Sequence, residues 1–194
     1  MTTTTPTESL TLARGAPLTP DTWADFVTRL RHDCVGEGVR EHCTADALFI
    51  VQAKRIISGF DRDYCDSSST MVYCDDRSWF SPKEYWADAG RDQRAQLHTM
   101  ANEWNRTSGG FLALQEFEQW EVLDDLPGHT VTGWHEEWAY VNSHLTQTAA
   151  DAFIARKKHD YPEGLRVCVE SQCYAWEFNI VKEAILSGIL TLAT

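Results

Sequence analysis

The sequence has no long apolar run. Its first 17 residues are polar and lack the apolar core that a signal peptide requires. No later segment approaches the roughly 20 apolar residues that a membrane-spanning helix needs. We therefore expect no membrane insertion, and we interpret residues 1–17 as a flexible polar leader ahead of a single domain over residues 18–194.

Positive charge is also scarce. The 194 residues include 17 Lys and Arg against 29 Asp and Glu, which gives a formal net charge of −12. Such a charge opposes binding to DNA, RNA or an anionic membrane, because those surfaces are themselves negative. We predict instead a basic protein partner, with no direct contact to nucleic acid.

The densest basic run, Arg156-Lys157-Lys158-His159, does not alter that prediction. It follows a helical pattern and precedes Tyr161-Pro162-Glu163-Gly164, a sequence that ends a helix. Cations in the last turn of a helix are stabilised by the negative end of its macrodipole. The run therefore indicates a helix terminus more than a phosphate-binding surface.

Motifs of known catalytic sites are absent from the sequence. It contains no glycine-rich phosphate loop, no nucleophile elbow and no H-E-x-x-H zinc motif. The six cysteines form no C-x-x-C pair, and we expect them to stay reduced, although their even number is also compatible with disulfides of undetermined connectivity. His32, Cys34, His42 and Cys43 cluster, but their spacing matches no standard zinc site. We predict no catalytic residue, no metal and no cofactor.

What the sequence does contain is aromatic residues and short periodic segments. Eight Trp, eight Phe and six Tyr supply the apolar area of a packed core. Runs of β-branched and aromatic residues alternate with helical patterns, which favours an α+β fold: a small, mostly antiparallel sheet covered by helices. The predicted strands lie near residues 47–58, 70–74, 130–141 and 165–169.

Helix starts are marked by capping residues. Thr19, Ser81 and Thr146 each precede a helical pattern, and Ser81 begins a capping box. The segment at residues 111–123 fits a helix or a strand equally, and Gly109-Gly110 predicts a possible joint near residues 107–110. A final helix over residues 175–187 is predicted with these apolar side chains inward: Trp176, Ile180, Val181, Ala184 and Ile185.

The most informative feature of the sequence is a long segment without any positively charged residue. No Lys or Arg occurs from Thr107 to Ala155, while eight carboxylates and several aromatic residues do. These carboxylates either pair with cations elsewhere in the chain, form a solvated face, or attract a positive partner. On the second interpretation, aromatic residues provide the centre of an interface. The predicted partner-binding residues are Glu116, Glu118, Trp120, Glu121, Asp124, Asp125, Glu136 and Glu137.

Two stretches resemble small accessory proteins of phages and integrative mobile elements. The first, HLTQTAADAFIARKKHDYPEGLRVCVES, joins a Thr-capped helix with a basic end to a strand, and the second is HCTADALFIVQAKRIISGFD at residues 42–61. The resemblance implies a bacterial cytoplasmic setting and a role as an inhibitor of host defence, of the anti-CRISPR or anti-restriction type. It supplies no catalytic residues.

Three hypotheses follow from the charge pattern and this resemblance. The first is a non-enzymatic inhibitor that binds a basic nucleic-acid-handling site or subunit of a defence complex through an acidic, aromatic surface. The second is a small enzyme that modifies a defence component or a nucleotide covalently. The third is a regulatory accessory protein of a mobile element.

Overall fold

The fold combines helices with an antiparallel sheet, which confirms the α+β prediction. A computed structural model describes residues 11–105 and 109–193 of the chain. Its helices and strands, in chain order, are α1 (Pro20–Val35), α2 (Gly38–Glu41), β1 (Ala47–Phe60), β2 (Thr70–Cys74), β3 (Arg77–Trp79), α3 (Pro82–Asp88), α4 (Arg91–Asn105), α5 (Glu116–Asp124), β4 (Thr130–His144), α6 (Gln147–Lys157), β5 (Leu165–Ser171) and α7 (Trp176–Leu186).

The sheet has the strand order β3-β2-β4-β1-β5. In the register of β1 with β5, Ala47 lies opposite Ser171 and Ala53 opposite Leu165. The four predicted strands are all present, and β1, β4 and β5 extend two or three residues beyond the predicted ends. The ambiguous segment at residues 111–123 contains a 3-10 turn, Phe111–Ala113, followed by α5.

Strand β3 was missed because it is short and polar. It pairs with β2 across the two-residue loop Asp75-Asp76, which places Cys74 opposite Arg77. Asp75 takes a left-handed φ of 52°, a conformation that aspartate adopts more readily than most residues. A three-residue strand carries too little periodicity to be recognised from sequence.

The predicted caps are confirmed. Thr19 and Ser81 accept hydrogen bonds from Thr22 N–H and Glu84 N–H, respectively, and Glu84 Oε2 accepts one from Phe80 N–H at 2.7 Å. At the start of α6, Thr146 accepts a hydrogen bond from Ala149 N–H. Each cap satisfies amide groups that have no partner within the helix itself.

The chain divides into two compact units, and β1 and β4 each run from one into the other. The central unit comprises residues 56–137 and contains β2, β3 and α3–α5. Its core is built from aromatic and aliphatic side chains of these elements, among them Trp79, Tyr85, Phe111, Trp120 and Leu123. The predicted joint at residues 107–110 lies partly outside the described residues.

The terminal unit comprises residues 1–55 and 138–194 and contains α1, α2, β5, α6 and α7. Its core includes Phe49 and Val51 of β1 and Ala150 of α6. Within the predicted leader, residues 11–17 are described, and Leu12–Arg14 form a 3-10 turn that packs against α6. Residues 1–10 of the predicted leader lie outside the description.

The predicted inward face of α7 is wrong for three of its five residues. Trp176, Ile180 and Val181 are exposed, and Ala184 and Ile185 are half-buried. Lys182 is instead the buried side chain of the helix, at 3% exposure. Its ammonium group bonds to the Asp46 carboxylate, which is 32% exposed, and to Asn179 Oδ1, and these contacts hold the lysine side of α7 inward.

Candidate functional site

Helix α5 carries most of the residues predicted to bind a partner. Gln115 N–H donates a hydrogen bond to Glu118 Oε2 at 2.8 Å, so Glu118 caps the start of the helix. Carboxylates in the first turn are also stabilised by the positive end of the helix dipole. The side chains of Trp120, Val122 and Leu123 are buried in the core of the central unit.

Trp120 is 4% exposed and is therefore not available as a surface anchor. Its indole N–H is buried and has no hydrogen-bond partner among the described residues. The exposed aromatic side chain on α5 is instead Phe117, at 63%. Phe117 is not among the predicted partner-binding residues, because a segment that fits a helix or a strand equally does not reveal which of its side chains share a face.

A cavity of about 210 Å³ lies beside Phe117. It is formed within the central unit, where α5 faces the 3-10 turn Arg62–Tyr64 and the start of β2. Its walls combine aromatic and charged groups, and the lining residues are Arg62, Asp63, Cys65, Thr70, Phe117, Trp120 and Glu121. Such a wall suits a side chain with an apolar stem and a polar end.

Two of the predicted carboxylates are engaged inside the protein. Glu121 forms an ion pair with Arg62, 59 residues earlier in the chain. Asp124 Oδ1 accepts a hydrogen bond from Val131 N–H at 2.9 Å, which joins the end of α5 to the start of β4. Both carboxylates therefore stabilise the central unit, and a partner has to compete with those contacts to use them.

Three other carboxylates are exposed and make no ion pair with the residues that the structure describes: Glu116, Asp125 and Glu137. Glu136 is exposed as well, on β4. The structure thus keeps unneutralised negative charge at both ends of α5 and on β4, all within the central unit. We call Glu116, Phe117, Asp125 and Glu137 the acidic-aromatic surface.

A second cavity, of about 140 Å³, lies elsewhere in the central unit. Tyr85, which is buried, contacts His129 Nε2 and Gln93 Nε2 through its hydroxyl oxygen, each at 2.8 Å. His129 Nδ1 lies 3.1 Å from the Pro127 carbonyl, which only accepts hydrogen bonds, so Nδ1 carries the proton and Nε2 accepts from the Tyr85 hydroxyl.

This hydrogen-bond chain engages Tyr85 and His129, and the cavity is also lined by the carboxylates of Asp75 and Asp88. Burial raises the pKa of Tyr85 to about 12, and the nearby Cys74 adds to the rise, so the hydroxyl stays protonated near neutral pH. His129 is occupied on both ring nitrogens by the contacts that orient Tyr85. The arrangement holds a neutral donor and acceptor in place, and it includes no activated nucleophile of the triad type.

The residues considered as metal ligands are dispersed. His32 Nδ1 contacts the Asp33 carboxylate at 3.0 Å, Cys34 is buried, and the His42 ring packs edge-on against Phe49. Cys43 is exposed. Within the described ranges, no group of three or more His, Cys, Asp or Glu side chains is placed to hold a metal ion.

The basic run lies at the end of α6, as predicted. Lys157 and His159 both pair with the Asp160 carboxylate, at 2.7 Å and 3.0 Å, and the Arg156 guanidinium lies over the Phe153 ring. Three of the four side chains of the basic run are therefore engaged in local contacts.

Over the parts of the chain that the structure describes, no helix is both long and apolar enough to span a bilayer. No family model, no curated protein and no solved structure matches the chain.

Proposed function

We propose that the protein is a non-enzymatic inhibitor that binds a basic surface on a nucleic-acid-handling component of a bacterial defence system. The observation that carries the binding role is the acidic-aromatic surface, which combines the exposed Phe117 with exposed carboxylates that have no internal cation at both ends of α5 and on β4. A net charge of −12 extends the same negative field over the molecule.

The two components of this surface act at different steps of binding. Unneutralised carboxylates raise the rate of encounter with a basic partner, since opposite potentials steer the approach. Phe117 and the adjoining 210 Å³ cavity then retain the partner, because a desolvated aromatic contact slows dissociation. A lysine or arginine of the partner would pack its stem on Phe117 and place its charged end at Asp63, where it has to compete with Arg62 for Glu121.

The assignment of the target rests on the resemblance of residues 42–61 and 144–171 to accessory proteins of phages and mobile elements. Defence complexes that bind DNA or RNA present basic surfaces, which an acidic protein is suited to occupy. The proposed location of action is the bacterial cytoplasm, where such complexes work.

The test is a triple charge reversal of Glu116, Asp125 and Glu137 to Lys. We expect the wild-type protein, expressed in hosts carrying single restriction or CRISPR systems, to raise the plating efficiency of a targeted phage in at least one host. The triple variant should lose most of that rescue, because it changes the local charge from −3 to +3 at positions that make no internal ion pair.

A matched control reverses Glu37, Glu163 and Glu170, three exposed carboxylates of the terminal unit. It produces the same change in net charge away from the acidic-aromatic surface, so it should retain the rescue. Equal loss of rescue in both variants would assign the effect to total charge and contradict a defined surface. Absence of rescue by the wild-type protein in every host would contradict the defence role.

The enzymatic alternative has one observation in its favour, the Gln93–Tyr85–His129 hydrogen-bond chain beside a cavity that Cys74 also lines. Mass spectrometry of the target separates the two hypotheses. A covalent mass shift at a substoichiometric dose of the protein would indicate catalysis, whereas inhibition that saturates at one protein per target indicates binding.

A further inference from the structure

Helix α7 is apolar on both sides. Its inner side contains Phe178, Ile185 and Leu186, together with the buried Lys182. Its outer side contains Trp176, Ile180 and Val181, all exposed. The outer side also carries the exposed Glu177 and Glu183, so it mixes large apolar side chains with carboxylates, whereas the solvent side of a surface helix is usually polar throughout.

The outer side cannot turn inward within this unit, because Lys182 fixes the helix. Its ammonium group is bonded to the Asp46 carboxylate and to Asn179 Oδ1. Rotating α7 to bury Trp176 would carry this lysine outward and separate the ion pair. The exposure of the outer side is therefore a consequence of the packing inside the terminal unit.

The exposed apolar surface continues past both ends of the helix. Tyr174 precedes it, and after it Leu190 N–H donates to the Ala184 carbonyl at 2.9 Å, which folds the chain back against the last turn. We define the α7 face as Tyr174, Trp176, Ile180, Val181, Ile189 and Leu190, whose exposed fractions range from 46% to 90%.

The size of this face fits a dimer interface. With roughly 200 Å² for an aromatic side chain and about 100 Å² for an aliphatic one, the α7 face presents on the order of 600 Å² of apolar surface. The largest apolar patch on a typical monomer is about 300–600 Å². Because about 65% of a homodimer interface is apolar, 600 Å² corresponds to about 900 Å² per copy, near the 800 Å² of a standard interface.

We propose that the α7 face binds the α7 face of a second copy of this chain, giving a two-fold symmetric dimer. The area supports a second copy, since the interface it implies is close to the standard size and a two-fold contact buries the same apolar side chains on both subunits. A second copy is also present whenever the chain is present. This inference is independent of the proposed function, because the acidic-aromatic surface lies in the other unit.

The charges of α7 decide how such a dimer responds to salt. Its exposed charged residues are Glu177 and Glu183, and its one lysine is buried. Two copies therefore meet with negative charge on both sides and a net charge of −12 each. Screening reduces this repulsion, so raising the salt from about 0.1 M to about 1 M should tighten the dimer. A basic partner would show the opposite salt dependence.

The experiment is sedimentation velocity on the purified full chain over a range of concentrations at both salt concentrations. The expected result is a monomer–dimer equilibrium that moves towards dimer at higher salt. Trp176→Glu combined with Ile180→Glu should weaken the dimer by 100-fold or more, because it places four carboxylates in an apolar contact. Both positions are already exposed, and circular dichroism checks that the variant remains folded.

Trp176→Ala is a second, milder variant, expected to weaken the dimer without adding charge. The matched control is Leu112→Glu, which adds a carboxylate at an exposed leucine of the central unit and should leave the dimer intact. A wild-type protein that is monomeric at all concentrations would overturn the proposal, as would a dimer that survives both α7 variants. Neither result affects the phage-plating test, so the dimer proposal can be contradicted without contradicting the proposed function, and the reverse is also true.

Discussion

Gly110 connects the loop before α5 to helix α4 through contacts that leave no room for a side chain. Its φ is 72°, with ψ at −176°, a conformation that is essentially restricted to glycine. A Cβ at this position would overlap the ring of His98. That ring is fixed from two directions, since Nδ1 accepts a hydrogen bond from Phe111 N–H at 3.1 Å and Trp86 packs edge-on against it.

We predict that Gly110→Ala lowers the free energy of unfolding by about 3 kcal/mol, from a strained φ and from overlap with a fixed ring. Gly128→Ala is the matched control: its φ is 78°, but nothing lies within 4 Å of the added Cβ. It should cost only about 1 kcal/mol. Urea denaturation of both variants measures the difference, and equal losses would show that His98 moves aside freely.

At the scale of the element, local patterns predicted where helices and strands begin, but they did not predict how each one is rotated. The caps at Thr19, Ser81 and Thr146 act through groups three residues away, so the sequence contains all of the information. The inward face of α7 depends on Asp46, which is 136 residues from Lys182. When a helix has apolar side chains on two sides, periodicity does not indicate which side faces the core. A contact with a residue far away in the sequence then determines the buried side.

The Lys182–Asp46 pair should therefore determine the stability of α7 on its unit. Asp46→Asn leaves the buried lysine without its counter-ion, and we expect a loss of about 3 kcal/mol in the free energy of unfolding, the low end for a buried pair because the Asp46 carboxylate is 32% exposed. Asn retains the left-handed φ of 55° that position 46 requires. Adding Lys182→Met to Asp46→Asn should recover most of the loss, because it removes the buried charge.

Lys157→Met provides the control for this pair. Lys157 and Asp160 are 2.7 Å apart but more than 40% exposed, so breaking their ion pair should cost no more than about 1 kcal/mol. Thermal or urea denaturation of the single and double variants completes the comparison. If Asp46→Asn were no more destabilising than Lys157→Met, the buried pair would not be what orients α7.

At the scale of the whole molecule, the sequence predicted the net charge but not which carboxylates make contacts inside the protein and which remain exposed. The stretch without Lys or Arg indicated eight carboxylates that have no cation within their own segment. Glu121 pairs with Arg62 from outside that stretch, and Glu118 and Asp124 accept hydrogen bonds from backbone groups. Only folding shows which carboxylates are engaged. Folding also decides which aromatic side chains are available: Trp120 and Phe117 are three residues apart on α5, yet Trp120 is buried and Phe117 is exposed.

That distribution predicts a separation of binding rates. Once a partner has been identified by pull-down from bacterial lysate, surface plasmon resonance with Phe117→Ala should show a dissociation rate raised about 30-fold, the equivalent of a 2 kcal/mol hot spot. Its association rate and the salt dependence of that rate should stay as in the wild type, since the carboxylates are unchanged. The reversal of Glu116, Asp125 and Glu137 should instead slow association.

Leu112→Ala, at a comparably exposed leucine of the same unit, should change neither rate. If Phe117→Ala altered only association, or neither rate, the partner would bind through charge alone, and the cavity beside Phe117 would not be its anchor.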